Sequence, residues 1–331
     1  MRKAGSAAGA AIFMLGAGIL NSASIRAEDH PFVRPDAAPV QSAPEGACDF
    51  QYPSKIPVRC WTGQKFIALP APTELRVYGY QTFDGGSGEY GHPTYEELAG
   101  KVLTAVSVRW HDDRFQLLSG WVVTFKSDDT GRTYTVKPVL LPNENRDEAS
   151  VREIALLRDL EEARKQYVGQ KYWILISKLP RVGTDVTGDD YVRYRRISVV
   201  TISDVLAGED SSRPVRLVLK NDAGEEGYMD IAGSPTNMSS SLYATMAKHL
   251  IDRELSSIDP HLLHKWPARI WSAIEQSTVL IGMTTEQAEM SWDGPSTVNR
   301  TIVSGRVHEQ WVYSQGRYLY FENGVLTAIQ D

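Results

Sequence analysis

Only two cysteines occur in the 331 residues, Cys48 and Cys60. A structural zinc site would need further ligands close by, and none stands near them; a catalytic thiol would need a partnered histidine, and the segment CDFQYPSKIPVRC holds none. Long apolar runs are also missing. The one uncharged stretch near the start, Ala7 to Leu20, is broken by glycines and falls short of the roughly 20 residues that span a bilayer. There is no excess of basic residues, with 35 Lys and Arg against 41 Asp and Glu, which argues against nucleic acid and anionic lipid surfaces as main partners. No G-x-S-x-G nucleophile elbow occurs, which lowers the odds of a serine hydrolase without closing them, because triad members can lie far apart in sequence.

What is present begins with the order of a secretory signal: Arg2 and Lys3, the apolar stretch, then small residues leading to Arg26 and Ala27. A removed signal is expected over residues 1–27, cut after Ala27, with Ala23 and Ser24 as alternative sites. The signal carries three basic residues and no acid, so its loss takes the formal net charge from −6 to −9. No cysteine stands near its end, so no lipid anchor is expected there. Export implies a periplasmic or secreted protein in an oxidising compartment, and a Cys48–Cys60 disulfide follows. Closing so short a loop is worth a little less than the ~3 kcal/mol of a 15-residue loop. Residues 28–46, with four prolines and no apolar periodicity, read as an extended leader.

About 300 further residues exceed one ordinary core, so more than one domain is expected. Two segments look like versions of one β-rich, barrel-like unit, placed at 47–145 and 169–238. The first opens LAGKVLTAVSVRW (98–110) and closes WVVTFKSDDTGRTYTVKPV (121–139); the second opens VGQKYWILISKL (168–179) and closes VRLVLKNDAGEEGYMDI (215–231). Each closer alternates on both sides of a glycine-bearing turn, the pattern of a hairpin. Between the units, 146–168 reads as an amphipathic helix with a Ser150–Glu153 capping box, the apolar positions Val151, Ile154, Leu157, Leu160 and Tyr167, and a stop at Gly169. A helical connector at 239–265 contains a helix from Ser240 to Glu254 ended by Asp259-Pro260.

The last segment, 266–331, predicts a helix after Pro267, a second helix capped by Thr284 with Gln287, and then strand-like runs turned at Asn323-Gly324. The run IGMTTEQ (281–287), Pro295, WVY (311–313) and YLYFENG (318–324) resemble the SmpA/OmlA (BamE-type) small outer-membrane lipoproteins. The resemblance covers roughly the last fifth of the chain. It implies two helices packed on a three- to four-stranded antiparallel sheet and an accessory, non-enzymatic role in outer-membrane protein assembly. The chain departs from the family in lacking the lipid-bearing cysteine and in placing Gly294 and Pro295 together. The aromatics of these strands divide between a helix-covered and an outward face, which makes Trp311, Tyr313, Tyr318 and Tyr320 candidate protein contacts.

Other groupings carry little chemistry. His261 and His264 form H-x-x-H without the acidic neighbour of a zinc helix. Trp110-His111-Asp112-Asp113 reads as a polar loop leaving a strand, since adjacent strand residues point to opposite faces. Asp128-Asp129 and Asp189-Asp190 read as turn chemistry. Gly86, Gly88 and Gly91 match G-x-G-x-x-G by letter, but His92-Pro93 stands where a helix would have to hold a pyrophosphate. The fold class expected is α+β: two small β-rich units with an intervening helix, then the two-helix and sheet domain. The function expected is a non-catalytic envelope protein that binds envelope or outer-membrane proteins, with no cofactor and no metal. A periplasmic or secreted hydrolase, and cell-wall glycan or peptide binding through the β units, stay open as alternatives.

Overall fold

The computed structural model describes residues 48–112, 119–140, 147–183, 190–246 and 251–330; the expected signal and leader lie outside them. Cys48 and Cys60 are joined in a disulfide with Cα atoms 5.5 Å apart, and Cys60 enters the first core beside Trp61.

The chain runs through β1 (Lys65–Ala68), the single helical turn α1 (Thr73–Arg76), β2 (Phe83–Asp84), a second turn α2 (Tyr95–Leu98), β3 (Val102–His111), β4 (Gly120–Ser127) and β5 (Thr133–Val136). A ribbon of β6 (Val139–Leu140) with β7 (Ala149–Ser150) precedes β8 (Ile154–Leu156). The first sheet is antiparallel in the order β2-β5-β4-β3-β1-β8. It curls into a half-barrel around Trp61, Phe66, Phe83, Phe125 and Tyr134.

Helix α3 (Leu157–Tyr167) leads to β9 (Lys171–Ile174), the hairpin of β10 (Lys178–Pro180) and β11 (Tyr191–Arg193), then β12 (Ser198–Asp210), β13 (Arg213–Lys220) and β14 (Glu226–Ile231). After α4 (Ser240–Met246) and α5 (Ile251–Glu254), β15 (Leu255–Ser256) closes the second sheet, in the order β14-β13-β12-β9-β15.

The two half-barrels are copies down to the register. Lys65 faces Thr104, which faces Lys126; Lys171 faces Thr201, which faces Lys220. Each long strand bulges one residue later, between Ala105 and Ser107 and between Ile202 and Asp204. The bulge sits over the same lead-in: Gly63 N–H donates to Ala105 O at 2.7 Å and Ala105 N–H to Gln64 O at 3.0 Å, while Gly169 N–H donates to Ile202 O at 2.9 Å and Ile202 N–H to Gln170 O at 3.0 Å. Both glycines have φ +83°, a backbone only glycine adopts without strain.

The duplication is therefore real, but its opening element is a different one. Gly63-Gln64-Lys65 matches Gly169-Gln170-Lys171 at the head of β1 and β9, whereas LAGKVLT belongs to the strand after it, equivalent to β12. The two closers do correspond, as the hairpins β4–β5 and β13–β14. Both sheets also reach past their expected ends, because Arg152-Glu153-Ile154 and Arg253-Glu254-Leu255 each lead into the strand beside β1 or β9.

That pairing overturns the capping box expected at Ser150. Leu69 N–H and Leu175 N–H donate to Glu153 O and Glu254 O at 2.9 and 2.8 Å, and Arg152 and Glu153 form a short turn that leads into β8 where a first helical turn was expected. The Glu153 carboxylate instead accepts from the Gln81 and Thr82 amides, both at 3.1 Å. Helix α3 starts later, at Leu157, without a side-chain cap, and Gly169 stands just past its end. In the connector, the helix expected from Ser240 to Glu254 is present as α4 and α5, with Leu242 exposed, and 247–250 lie outside the described residues. Asp259 opens α6 (Pro260–Leu263) rather than ending a helix, accepting from His261 N–H at 2.9 Å.

The terminal layer comprises α7 (Ala268–Glu275) and α8 (Thr285–Trp292) against β16 (Thr297–Val303), β17 (Arg306–Val312), β18 (Tyr318–Glu322) and β19 (Val325–Gln330), paired antiparallel in that order. Pro267 is the N-cap of α7, and Asn323-Gly324 makes the last hairpin with both residues at positive φ. The Thr284 box is present and reciprocal: Thr284 N–H donates to Gln287 Oε1 at 3.0 Å, and Gln287 N–H to Thr284 Oγ1 at 3.2 Å. Thr284→Ala is expected to lower unfolding stability by about 1 kcal/mol; an unchanged urea midpoint would show that this cap contributes nothing.

Candidate interaction surface

The four aromatics singled out by sequence fall on opposite faces of the terminal sheet. Trp311 and Tyr313 are 6 % and 8 % exposed, inside the core with Phe321 and Trp292. Tyr313 donates its hydroxyl to the Asp293 carbonyl at 3.1 Å, and burial pushes its pKa well above the usual phenol range. This corrects the expectation that they reach a partner at the surface: the i, i+2 spacing puts them on one face, and α7 and α8 cover that face. Tyr318 and Tyr320 are half-buried on the other face, where Tyr320 accepts from Gln310 Nε2 at 3.1 Å and donates to Gln330 Oε1 at 2.9 Å.

The dismissed groupings are tied up locally. His261 lies 2.8 Å from Asp259 and packs on Trp271, while His264 stacks on Trp266 at 4.3 Å. Among the described residues no three or more His, Cys, Asp or Glu are arranged to hold a metal ion. Asp128 takes Lys65 Nζ at 2.6 Å and Asp129 takes Lys101 Nζ at 2.5 Å, pairings that hold both carboxyls below the usual range, Asp129 at about 2. Arg181 reaches Asp190 at 3.0 Å, while Asp189 lies outside the described residues. His111 and Asp112 are exposed at the end of β3, and Asp113 lies outside the described residues.

A surface that sequence reasoning passed over stands on the first half-barrel, in the connection from β1 to β3. Its sequence, LPAPTELRVYGYQTFDGGSGEYGHPTYEEL, sets tyrosines among prolines and glycines with no alternation to bury them. The backbone is built tightly. Tyr80 N–H donates to Pro93 O at 2.9 Å, Gly85 and Gly86 both donate to Gly91 O, and Gly88 N–H donates to His92 O at 2.8 Å. Gly86 lies so close to the Pro93 backbone that no Cβ fits, so the first of the three glycine letters marks a close approach, not a phosphate cradle.

Glu97 ties the connection together. Its carboxylate accepts from Ser87 N–H at 3.0 Å and Thr94 N–H at 2.9 Å and pairs with Arg132. Burial works against its charge, but the Ser87 and Thr94 hydrogen bonds and the Arg132 guanidinium outweigh it and hold the carboxyl below its ordinary range. Tyr80 lies flat on Tyr95 with ring centres 6.3 Å apart and donates to Leu69 O at 2.6 Å. Arg76 covers the Tyr95 ring at 5.1 Å and donates to Ala71 O at 2.9 Å.

On this fixed backbone four large side chains face solvent: Leu75 is 52 % exposed, Val77 81 %, Tyr78 60 % and Tyr90 89 %. Tyr90 also sits in the left-handed region, φ 55° and ψ 16°, a conformation uncommon for a non-glycine residue that costs on the order of 1 kcal/mol or more. Two clefts flank Tyr78. One, of about 300 Å³, runs between Leu69–Pro72, Leu75 and Arg152; the other, of about 540 Å³, lies between Arg76, Tyr90 and His92. Exposed apolar and aromatic side chains on a backbone already ordered lose little entropy on binding, which is what a contact surface needs.

Comparison of the chain with protein-family models, with curated proteins and with solved structures finds no match in any of the three.

Proposed function

We propose that this chain is a non-catalytic envelope protein that binds other polypeptides through the tyrosine-bearing connection of its first half-barrel. The observation that carries the reading is the exposure of Leu75, Val77, Tyr78 and Tyr90 on a backbone held by Glu97 and the glycine–proline contacts. The Cys48–Cys60 disulfide supports an oxidising compartment, and no helix among the described residues is long and apolar enough to cross a membrane. The signal-like start supports the periplasm or export beyond it. The likeness of the terminal segment to SmpA/OmlA lipoproteins supports a partner concerned with outer-membrane assembly.

Photo-crosslinking from residue 77 in cells, with and without Tyr78→Ala and Tyr90→Ala together, tests this. The double variant is expected to lose its crosslinked partners while its stability stays within about 0.5 kcal/mol, as surface changes usually do. An undiminished crosslink pattern would sink the reading. Glycan binding by the same tyrosines is the second reading, favoured by flat rings beside an open cleft; retention on purified peptidoglycan that disappears with Tyr78→Ala would replace the first with it.

A further inference from the structure

Strand β16 is the outer edge of the terminal sheet, and every one of its seven residues is exposed. Among the described residues no strand or bridge pairs with its free side. The hairpin that joins it to β17 shows which groups that leaves unmet. Ser304 and Gly305 turn at φ +50° and +77°, the two left-handed residues of a type I′ turn, so the flanking pair Val303–Arg306 is hydrogen-bonded and the pattern alternates from there. The amides and carbonyls of Val298, Arg300 and Ile302 therefore point away from β17.

Natural sheets blunt such an edge with proline, lysine, a bulge or a very short strand. β16 has none of these: its register against β17 runs unbroken from Thr297 to Val303, and five of its seven residues are β-branched. Helices α7 and α8 do not cover it either. Val298 stands opposite the buried Trp311, on the face the helices pack against, and Ile302 shares that face. They are nonetheless 46 % and 64 % exposed, and no β16 residue belongs to the core of that layer. The unmet groups are those that an added strand would pair, with an apolar strip beside them for its side chains.

Charge selects the occupant. The run from Thr297 to Val312 holds Arg300 and Arg306 against a single acid, Glu309, which lies 3.6 Å from Arg300. A second copy paired about the middle of the strand would set Arg300 against its own equivalent, and a slip of one residue would turn every side chain to the other face. A strand that brings a carboxylate to Arg300 meets neither penalty.

We infer that the open edge of β16 binds an extended segment of a partner polypeptide as an added antiparallel strand, with apolar side chains beside Val298 and Ile302 and a carboxylate beside Arg300. This surface is separate from the tyrosine-bearing connection of the first half-barrel and needs no part of it.

The probe is a fluorescent peptide, Thr-Val-Thr-Glu-Thr-Val-Thr, titrated into the full chain. Saturable binding is expected, weakened about tenfold by Ile302→Pro, which removes one outward N–H and leaves the ladder with β17 intact. Should that variant fail to fold, Arg300→Glu decides: it is expected to lose the glutamate peptide and to gain a peptide with lysine at the centre. Absence of saturable binding, indifference of a folded Ile302→Pro chain, or binding by Arg300→Glu that ignores the charge swap would overturn the inference. Self-association of the chain in sedimentation equilibrium that Ile302→Pro abolishes, with no peptide binding, would replace the partner strand by a second copy.

Discussion

Replacing Arg196 by methionine is expected to cost about 3 to 5 kcal/mol of unfolding stability, the range for breaking a buried charged network by removing one partner. The guanidinium is 2 % exposed. It donates to both Asp293 oxygens at 2.9 and 2.6 Å, to the Leu175 carbonyl, and to Ser277 Oγ at 3.2 Å. It therefore ties the second half-barrel to the terminal layer, and methionine would fill the volume but strand those acceptors. The Asp293 side chain is 51 % exposed, so Asp293→Asn should cost much less, about 1 kcal/mol, because water can take up what the carboxylate loses. Urea unfolding of the two variants checks the asymmetry; equal losses would mean that the ion pair, and not the buried donor network, carries the junction.

The neighbouring residue shows how firmly that junction is set. Ile197 has φ +60° at the position where the first half-barrel has Gly100 at φ +71°, and both amides donate to the end of the preceding strand, at Ile174 O and Ala68 O. A β-branched residue in that region is strained. It is held there because the Ile197 side chain is buried in the core of the terminal layer.

Stability should also rise on acidification through a single buried carboxylate. Asp159, on α3, is 3 % exposed, its Oδ1 has no hydrogen-bond partner, and a Cβ on Gly233 would come within 2.7 Å of its own Cβ. Burial pushes its pKa up to about 6 from 3.8, against the opposing hydrogen bonds from Ser234 and Tyr52. A raised carboxyl pKa means that the folded state binds the proton more tightly than the unfolded chain. The contribution is then complete below the unfolded value near 4 and disappears as pH rises through about 6, a change of about 3 kcal/mol. Glu97, Asp128 and Glu148 are shifted downward and act with the opposite sign, so the informative quantity is the difference between wild type and Asp159→Asn. That difference is expected to fall by about 3 kcal/mol between pH 4 and pH 7.5; a flat difference would show that Asp159 keeps an ordinary pKa.

The contrast between the two capping boxes explains what could be read in advance. At Thr284 the residues three apart needed only each other, and the box forms. At Ser150 and Glu153 the same letters are overridden, because Ile154–Leu156 has a strand partner in β1, far off in the chain. The aromatics follow the same division. That Trp311 and Tyr313 share a face is legible from their spacing, but which face the helices cover is not, and the docking role expected of them fails for that reason. The tyrosines of the β1–β3 connection were visible as aromatics among glycine and proline, and it took the folded backbone to show that Tyr78 and Tyr90 are held outward while Tyr80 is buried.

Sequence alone thus determined the features whose partners lie within a few residues: the disulfide, the β4–β5, β13–β14 and β18–β19 hairpins, the caps of α7 and α8, and the α+β class. Tertiary structure alone decided which strand opens each repeat, where α3 begins and which aromatics are buried. The physical reason is range. Local hydrogen bonds and turn conformations are specified by neighbouring residues, whereas strand register and face burial depend on free-energy differences between pairings of distant segments, for which one strand of letters carries no partner.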